Sequence, residues 1–247
     1  MDLGISGRVA LVMGASKGIG AAVATELAAE GARVAIAARS RGPLEELAAD
    51  IGASAFVHDS ADLDAVPALI EAVTAALGPV EILVTNTGGP PSGPDPLAFS
   101  RAEWELAHRT LVLAPIELIS AVVPGMRERG WGRIVNVGSL TVREPMSILV
   151  LSNSERAAAL AAFKTIASEV ASAGVTLNTV LPGRIGTDRL YQLLGGAPAE
   201  AIAGDVPLGR LGTPQELAAA IVFLCSQRAS YITGVAMLVD GGLARLV

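Results

Sequence analysis

The feature that most constrains the fold is a regular alternation of short apolar runs with longer helical segments. The apolar runs predict buried strands at residues 9–13, 34–38, 54–57, 82–84, 133–137, 175–181 and 235–239. Helical periodicity predicts helices over 19–30, 44–51, 63–77, 155–173 and 214–226, and two helices within 101–129. Strands and helices that alternate in this way form βαβ units. The predicted fold class is therefore α/β, a single Rossmann fold whose doubly wound parallel sheet carries helices on both faces.

Length and charge limit the organisation and the partners of the chain. The 247 residues contain no low-complexity linker, so they are predicted to form one domain, residues 1–247, with a substrate lid around 184–206. The net charge is −6, and no compact basic run offsets it. These features disfavour nucleic acid and anionic membranes as partners and leave a small-molecule substrate.

The single cysteine and the N-terminal segment bear on the cellular compartment of the protein. Cys225 lies in an apolar helical segment and has no partner for an internal disulfide, which fits a reducing compartment. The N-terminus has no basic segment followed by a long apolar one, and no uncharged run is predicted to span a bilayer. A cytoplasmic protein is predicted, and no metal site is predicted.

A glycine-rich turn follows the first predicted strand. Gly14, Gly18 and Gly20 are spaced Gly-x3-Gly-x-Gly directly before a helix. Such glycines allow a tight turn and a close approach of the backbone to a pyrophosphate, which the helix N-terminus attracts. The turn predicts a dinucleotide site, with a plain tight turn as the alternative.

The end of the second strand bears on the choice of dinucleotide. An acidic residue there would bind the ribose 2′-hydroxyl of NAD(H), but this chain has Ala38 followed by Arg39. Arg39 together with Lys17 could bind a 2′-phosphate through charge-assisted hydrogen bonds. We therefore predict NADP(H) as the cofactor, with NAD(H) as the less favoured choice. The alternative is that both bases are only solvated surface residues.

Several further segments match the sequence motifs of a known protein family in order along the chain. They are Asp59, Thr85-Asn86-Thr87-Gly88, Asn136-Val137-Gly138-Ser139, Pro182-Gly183-Arg184-Ile185-Gly186-Thr187, Tyr231-Ile232-Thr233-Gly234 and Val239-Asp240-Gly241-Gly242. On these segments the chain resembles the short-chain dehydrogenase/reductase family, in its compact form similar to 3-oxoacyl-acyl-carrier-protein reductases. The resemblance covers nearly the whole chain.

The resemblance implies a set of cofactor-binding residues. Together with the glycine turn they are Gly14, Ser16, Lys17, Gly18, Ile19, Gly20, Arg39, Ser40, Asp59, Ser60, Asn86, Gly88, Arg156, Pro182, Gly183, Ile185 and Thr187. In the family, the Asp that matches Asp59 contacts adenine, and the Thr that matches Thr187 contacts the nicotinamide carboxamide.

The catalytic pattern of the family is broken in this chain. The family uses Ser, Tyr and Lys, usually with an Asn, and its Tyr donates a proton to the forming alkoxide. Ser139 matches the family Ser, but Ser152 stands where Tyr belongs and Arg156 where Lys belongs. The family Asn aligns near Leu111. An aliphatic hydroxyl is far less acidic than a phenol, which titrates near ~10.

Three residues remain candidates for catalysis: Ser139, Ser152 and Arg156. A guanidinium cannot relay a proton, but it can anchor a ribose hydroxyl or stabilise an oxyanion. The spacing of four places Ser152 and Arg156 on one helix face, provided that the helix begins that early. Tyr191, in the predicted lid, and Tyr231 are the only tyrosines; lid packing and a structural role are the favoured interpretations of them.

Three functions remain open at this stage. The favoured one is an NADP(H)-dependent oxidoreductase of the short-chain type that transfers hydride to a small carbonyl or activated enoyl substrate with an altered proton donor. The second is a cofactor-binding protein without redox turnover, and the third is a non-redox isomerase, lyase or cyclase on the same fold. The resemblance also implies a homotetramer or homodimer, for which the segments 111–123, 157–170 and 238–247 are candidate contacts.

Overall fold

A computed structural model describes residues 2–245 and shows one seven-stranded sheet. The strand order is β3-β2-β1-β4-β5-β6-β7, and every neighbouring pair is parallel. The strands are β1 (Val9–Met13), β2 (Arg33–Ala38), β3 (Ser54–Val57), β4 (Ile82–Thr85), β5 (Gly132–Val137), β6 (Val175–Pro182) and β7 (Ala236–Val239). The predicted α/β class and doubly wound parallel sheet are confirmed.

Helices connect successive strands and cover both faces of the sheet. They are α1 (Gly18–Ala29), α2 (Arg41–Ile51), α3 (Val66–Leu77), α4 (Arg101–His108), α5 (Ala114–Arg129), α6 (Val150–Val170), α7 (Asp188–Leu193), α8 (Ala199–Ala203) and α9 (Pro214–Leu224). The region of the predicted lid thus contains α7 and α8, and its movement stays a prediction.

The core has two parts, one on each face of the sheet. Because side chains alternate along a strand, Ala10 and Val12 of β1 point to one face and Leu11 and Met13 to the other. The first face packs against α1, α2 and α9, and the second against α3, α5 and α6. All five residues of β1 are buried, as the continuous apolar run predicts for a central parallel strand.

Two helical regions differ from their predicted form. The helix α6 begins at Val150, preceded by a 3-10 turn at Ser147–Leu149, and not at residue 155. Between α4 and α5 the chain does not leave the helix: one π-helical turn, Arg109–Leu113, joins them. The early start of α6 places Ser152 within the first turn of the helix, one turn before Arg156.

The continuous helical stretch Arg101–Arg129 is long and apolar enough to cross a membrane by length and composition alone. Half of its most apolar window is buried within the fold, and a core helix of a globular protein shows the same property. Its buried residues Leu118, Ile119 and Val122 belong to the core on the second face of the sheet.

The strand order determines where a ligand can bind. The chain runs outward from β1 to β2 and β3, and then returns to place β4 on the other side of β1. Connections that leave in opposite directions open a crevice beyond the carboxyl ends of these strands. The segments that follow β1, β4, β5 and β6 all emerge at this edge.

Candidate active site

A cavity of about 550 Å³ occupies this crevice. Nearly all residues predicted for the site contribute to its wall. They are Gly14, Ser16, Lys17, Gly18, Ile19, Arg39, Ser40, Ser60, Asn86, Gly88, Ser139, Ser152, Arg156, Pro182, Gly183, Ile185 and Thr187. Segments that are distant in sequence therefore meet in one place, because each follows a parallel strand at the same edge of the sheet.

The glycine turn between β1 and α1 is packed tightly from both sides. Gly14 has φ +61°, and a Cβ built on it would lie 2.5 Å from the backbone oxygen of Asn86. The side chain of Asn86 donates a hydrogen bond from Nδ2 to the Gly14 carbonyl at 3.2 Å. Asn86 thus positions the turn as well as lining the cavity, a role that the sequence motif alone does not reveal.

Two of the predicted cofactor residues lie outside the cavity wall. A Cβ on Gly20 would collide with the carbonyl of Gly14, so Gly20 permits the close packing of α1 on the turn. Asp59 is exposed, and its Oδ1 accepts a hydrogen bond from the backbone N–H of Ala61 at 2.9 Å. Its neighbours His58 and Ser60 line the cavity instead, and burial lowers the pKa of His58.

The end of the cavity beside β2 carries two basic side chains. Arg39 follows β2, and Lys17 precedes α1, so both line the cavity from neighbouring strands. The Lys17 ammonium is bound to Asp188 at 3.2 Å across the cavity mouth, and both side chains are about 70% exposed. A 2′-phosphate would meet two basic side chains here and no carboxylate on β2 itself, so the residues fit NADP(H) better than NAD(H).

The other end of the cavity contains the three residues predicted for catalysis. The Arg156 guanidinium donates from Nε to Ser152 Oγ at 3.2 Å and from Nη1 to the Val137 and Gly138 carbonyls at 2.7 and 3.2 Å. These bonds fix the guanidinium against the end of β5. Ser139 lies two residues after the end of β5, and its Oγ is 2.9 Å from Thr141 Oγ1. All three residues line the cavity, and the hydrogen bond between Ser152 and Arg156 places these two on one helix face, as their spacing predicts.

The pKa of Arg156 is lowered to about 10, first by burial and then by repulsion from the nearby Arg189. The side chain therefore remains a cation at neutral pH. Ser152 is buried, and its hydroxyl oxygen already accepts a hydrogen bond from Arg156. The pair can stabilise negative charge, but it offers no group that donates a proton readily near pH 7.

No tyrosine lines this cavity within residues 2–245. Tyr231 is completely exposed, and Tyr191 borders a separate, shallow depression between α7 and α9. Leu111, near which the family Asn aligns, is buried within the π-helical turn. His108, just before that turn, faces Glu155 of α6 with 2.7 Å between Nδ1 and Oε2 and lies outside the cavity wall.

Sequence reasoning missed several residues of the wall. The apolar ones, Val137, Leu149, Leu190 and Leu193, give the catalytic end a largely nonpolar lining. The missed basic residue is Arg189, the second residue of α7. Arg189, like Leu190 and Leu193, falls within the lid predicted over 184–206, but the sequence does not show which side chains of the six-residue helix point into the cavity.

Comparisons with known proteins identify relatives that match nearly the whole chain. The family described as enoyl-(acyl carrier protein) reductase matches residues 14–244. A 3-oxoacyl-[acyl-carrier-protein] reductase of Vibrio cholerae is 36% identical over 245 residues, which are 98% of this chain and 99% of the relative.

Solved structures resemble the whole chain. L-sorbose reductase from Gluconobacter frateurii, complexed with NADPH and L-sorbose, has a TM-score of 0.92 and 34% identity with full coverage of both chains. YwfH, an NADPH-dependent reductase involved in bacilysin biosynthesis, has a TM-score of 0.91 and 30% identity over 97% of this chain and 99% of its own. The cofactor in these proteins agrees with the predicted one. The chain belongs to the short-chain dehydrogenase/reductase family.

Proposed function

We propose that this protein is an NADP(H)-dependent oxidoreductase that reduces a carbon–carbon double bond conjugated to a carbonyl group. The observation that carries the proposal is the Ser152–Arg156 pair, which keeps a cation, fixed by hydrogen bonds, but has a serine in place of the phenol that donates the proton. The cofactor would be held by the glycine turn, by Lys17 and Arg39, and by the segment from Pro182 to Thr187. When bound, NADPH supplies a hydride, and negative charge develops on the substrate oxygen.

The residues at the catalytic end of the cavity, Ser139, Ser152 and Arg156, would stabilise this negative charge but would not protonate it. The hydrogen bonds seen for Arg156 use Nε and Nη1, which leaves Nη2 for an oxygen in the cavity. Ser139 offers a hydroxyl nearby. Such preorganised donors are worth about 3–4 kcal/mol each in the transition state of comparable reactions.

Reduction of a conjugated double bond suits this arrangement better than reduction of an isolated ketone. The charge of an enolate is shared between oxygen and carbon, so its oxygen is less basic than that of an alkoxide. A hydrogen-bonding cation is then sufficient, and the proton can come from water. Ketone reduction is the second candidate, supported by the oxoacyl reductase relatives, and it would need a water to replace the missing phenol.

The test follows NADPH that carries deuterium at its transferable position. Substrates are 2-cyclohexenone and 3-benzoylacrylate, each assayed beside its saturated ketone. We expect cofactor consumption with the unsaturated member of each pair, a surviving ketone in the product, and deuterium on the former alkene carbon by NMR. Deuterium on a newly formed carbinol carbon would instead establish ketone reduction. Tight NADPH binding without consumption would favour the cofactor-binding protein without turnover.

We also propose that the protein assembles as a homotetramer through α5 and α6. Their solvent faces carry small side chains, including Ala121 and Pro124 on α5 and Ala157, Ala158 and Ala161 on α6. Small exposed residues let two helices of neighbouring copies approach closely. Light scattering tests the assembly, and a monomer would contradict it. The third segment implied by the resemblance, 238–247, ends in residues 246 and 247, which lie outside the described residues.

A further inference from the structure

The catalytic end of the cavity contains a second arginine that has no part in the reaction described above. Arg189 of α7 donates from Nη2 to the Pro90 carbonyl at 2.7 Å. Its guanidinium lies against the backbone of Gly89, where an added Cβ would be 3.0 Å from Nη2 and 3.2 Å from Nε. Arg189 therefore reaches from the segment after β6 to the loop after β4, across the end of β5.

The charge of this arginine is not balanced by the protein. Neither Arg156 nor Arg189 forms a salt bridge within residues 2–245. Asp188 is the single carboxylate among the described residues that line the cavity, and it is paired with Lys17. Two guanidinium groups thus share a partly nonpolar space close enough for Arg189 to lower the pKa of Arg156. An anion bound between them would remove this repulsion.

The cofactor does not need Arg189 for its own anionic groups. Its pyrophosphate would lie at the glycine turn and the N-terminus of α1, and its 2′-phosphate beside Arg39 and Lys17. These groups line the cavity from β1 and β2, whereas Arg189 lies beside Arg156 at the end of β5. The anion that remains to be bound there is part of the substrate.

We propose that Arg189 binds a carboxylate of the substrate, so that the enzyme acts on small enone acids rather than on neutral enones. The inference rests on the proposed function, because Arg156 is taken to face the reacting oxygen. Nη2 of Arg189 donates to the Pro90 carbonyl and Nε lies against the Gly89 backbone, so Nη1 is the nitrogen that can donate a charge-assisted hydrogen bond to a carboxylate. The nonpolar side chains Leu149, Leu190 and Leu193 line the space for the body of the substrate.

The test compares an acid with its neutral isostere under conditions in which no reduction occurs. Calorimetry measures the binding of 3-benzoylpropionate and 3-benzoylpropionamide to the protein saturated with NADP+. We expect the acid to bind at least about tenfold more tightly than the amide, as for a hydrogen-bonded charge pair. In Arg189→Gln the ratio should fall to about one while NADP+ affinity changes less than about twofold, and Arg189→Lys should retain part of the preference.

A matched control removes a positive charge outside the cavity. Arg101 is exposed and paired with Glu105 on α4, so Arg101→Gln should keep the full preference for the acid. Equal binding of acid and amide by the unchanged protein would overturn the inference. So would an Arg189→Gln protein that loses NADP+ affinity by tenfold or more but keeps the preference, since Arg189 would then serve the cofactor. Because NADP+ carries no hydride, these results are independent of whether the labelled-cofactor experiment supports enone reduction.

Discussion

At the scale of single residues, the proposed chemistry of the site depends on Arg156. The family pairs a phenol with an ammonium group, and here a hydroxyl and a guanidinium occupy the same two positions of one helix face. The guanidinium is bonded to Ser152 and to two carbonyl oxygens of β5, so it is oriented before any substrate arrives. A fixed cation of this kind stabilises developing charge without reorganisation during the reaction.

Replacing Arg156 should therefore affect turnover more than cofactor binding. We expect Arg156→Gln to lower kcat/KM for an enone by about 100-fold, because the charged donor is lost. Arg156→Lys should be less severe, since it keeps a positive charge. The absorbance of NADPH measures the rate of its oxidation. The thermal unfolding temperature of each variant checks that β5 and α6 remain packed. Ser152→Ala is the matched comparison: Arg156 keeps both carbonyl bonds, so the loss should be within about tenfold. An equal loss in Ser152→Ala would make the hydroxyl, and not the cation, the essential group.

The pH dependence should follow the same group. Burial and Arg189 lower the pKa of Arg156 to about 10, and the charged form is the active one. Activity is therefore expected to be present below this pKa and to be lost as the pH rises through it. We expect kcat/KM to be constant from pH 7 to pH 9 and to fall above about pH 10. A decline centred between pH 7 and 8 would reveal another essential acid, and circular dichroism at each pH excludes unfolding as the cause.

At the scale of elements, the start of α6 and the turn before α1 differ in how far their sequences predict them. The turn is marked by three glycines, and its form follows from them. The helix α6 begins after Leu149, which makes no side-chain capping bond. The N-cap position holds Leu149 and not a Ser, Thr, Asp or Asn, whereas residues of these types, Ser152 to Ser154, follow inside the helix, so the sequence places the start several residues late. The π-helical turn at Arg109–Leu113 likewise has no sequence signal that periodicity can detect.

The glycine turn gives a prediction with an internal control. Gly14 and Gly52 have similar φ values, +61° and +67°, but only Gly14 has a backbone atom within reach of an added Cβ. Gly14→Ala and Gly52→Ala therefore share the backbone strain of about 1 kcal/mol and differ in the collision with Asn86.

We expect Gly14→Ala to weaken NADPH binding by more than about tenfold, measured by nicotinamide fluorescence, and Gly52→Ala to leave it unchanged. The thermal unfolding temperatures of the two variants measure the loss of stability from the shared backbone strain, and any larger loss in Gly14→Ala reports the displacement of Asn86. Equal NADPH affinities in the two variants would show that the turn does not approach the cofactor.

At the scale of the whole molecule, the sequence predicts the parallel sheet and most of the cavity wall. Strand ends that meet at one edge of a parallel sheet bring their following residues together, so Ser139 and Thr187 could be placed without coordinates, whereas Ser152 is identified from its spacing to Ser139 in the family pattern. Gly20, Asp59 and Arg189 could not, because their positions depend on how a turn packs or how a short helix is oriented. The core on the first face of the sheet also accounts for the burial of Cys225, which has no exposed surface at the end of α9.

The thiol of Cys225 should report the opening of this core. Burial raises its pKa to about 12, although the nearby Arg133 acts in the opposite direction. The thiol is therefore protonated at pH 8 and shielded from reagents. We expect no reaction with 5,5′-dithiobis(2-nitrobenzoate) in the folded protein over hours, and release of one equivalent in guanidinium chloride, since the chain has one cysteine. Rapid reaction under native conditions would mean that α9 separates from the sheet far more readily than its packing indicates.

The replacement of a phenol by Ser152 also has a stereochemical consequence. In the proposed reaction the bound cofactor would deliver hydride to one face of the substrate, so the β-carbon should be formed in a single configuration. The α-carbon has no side-chain acid positioned over it among the described residues, and water can approach from more than one side. For an enone substituted at the α-carbon, we expect one configuration at the β-carbon and a mixture at the α-carbon. Chiral chromatography of the product, taken before it equilibrates in buffer, measures both centres.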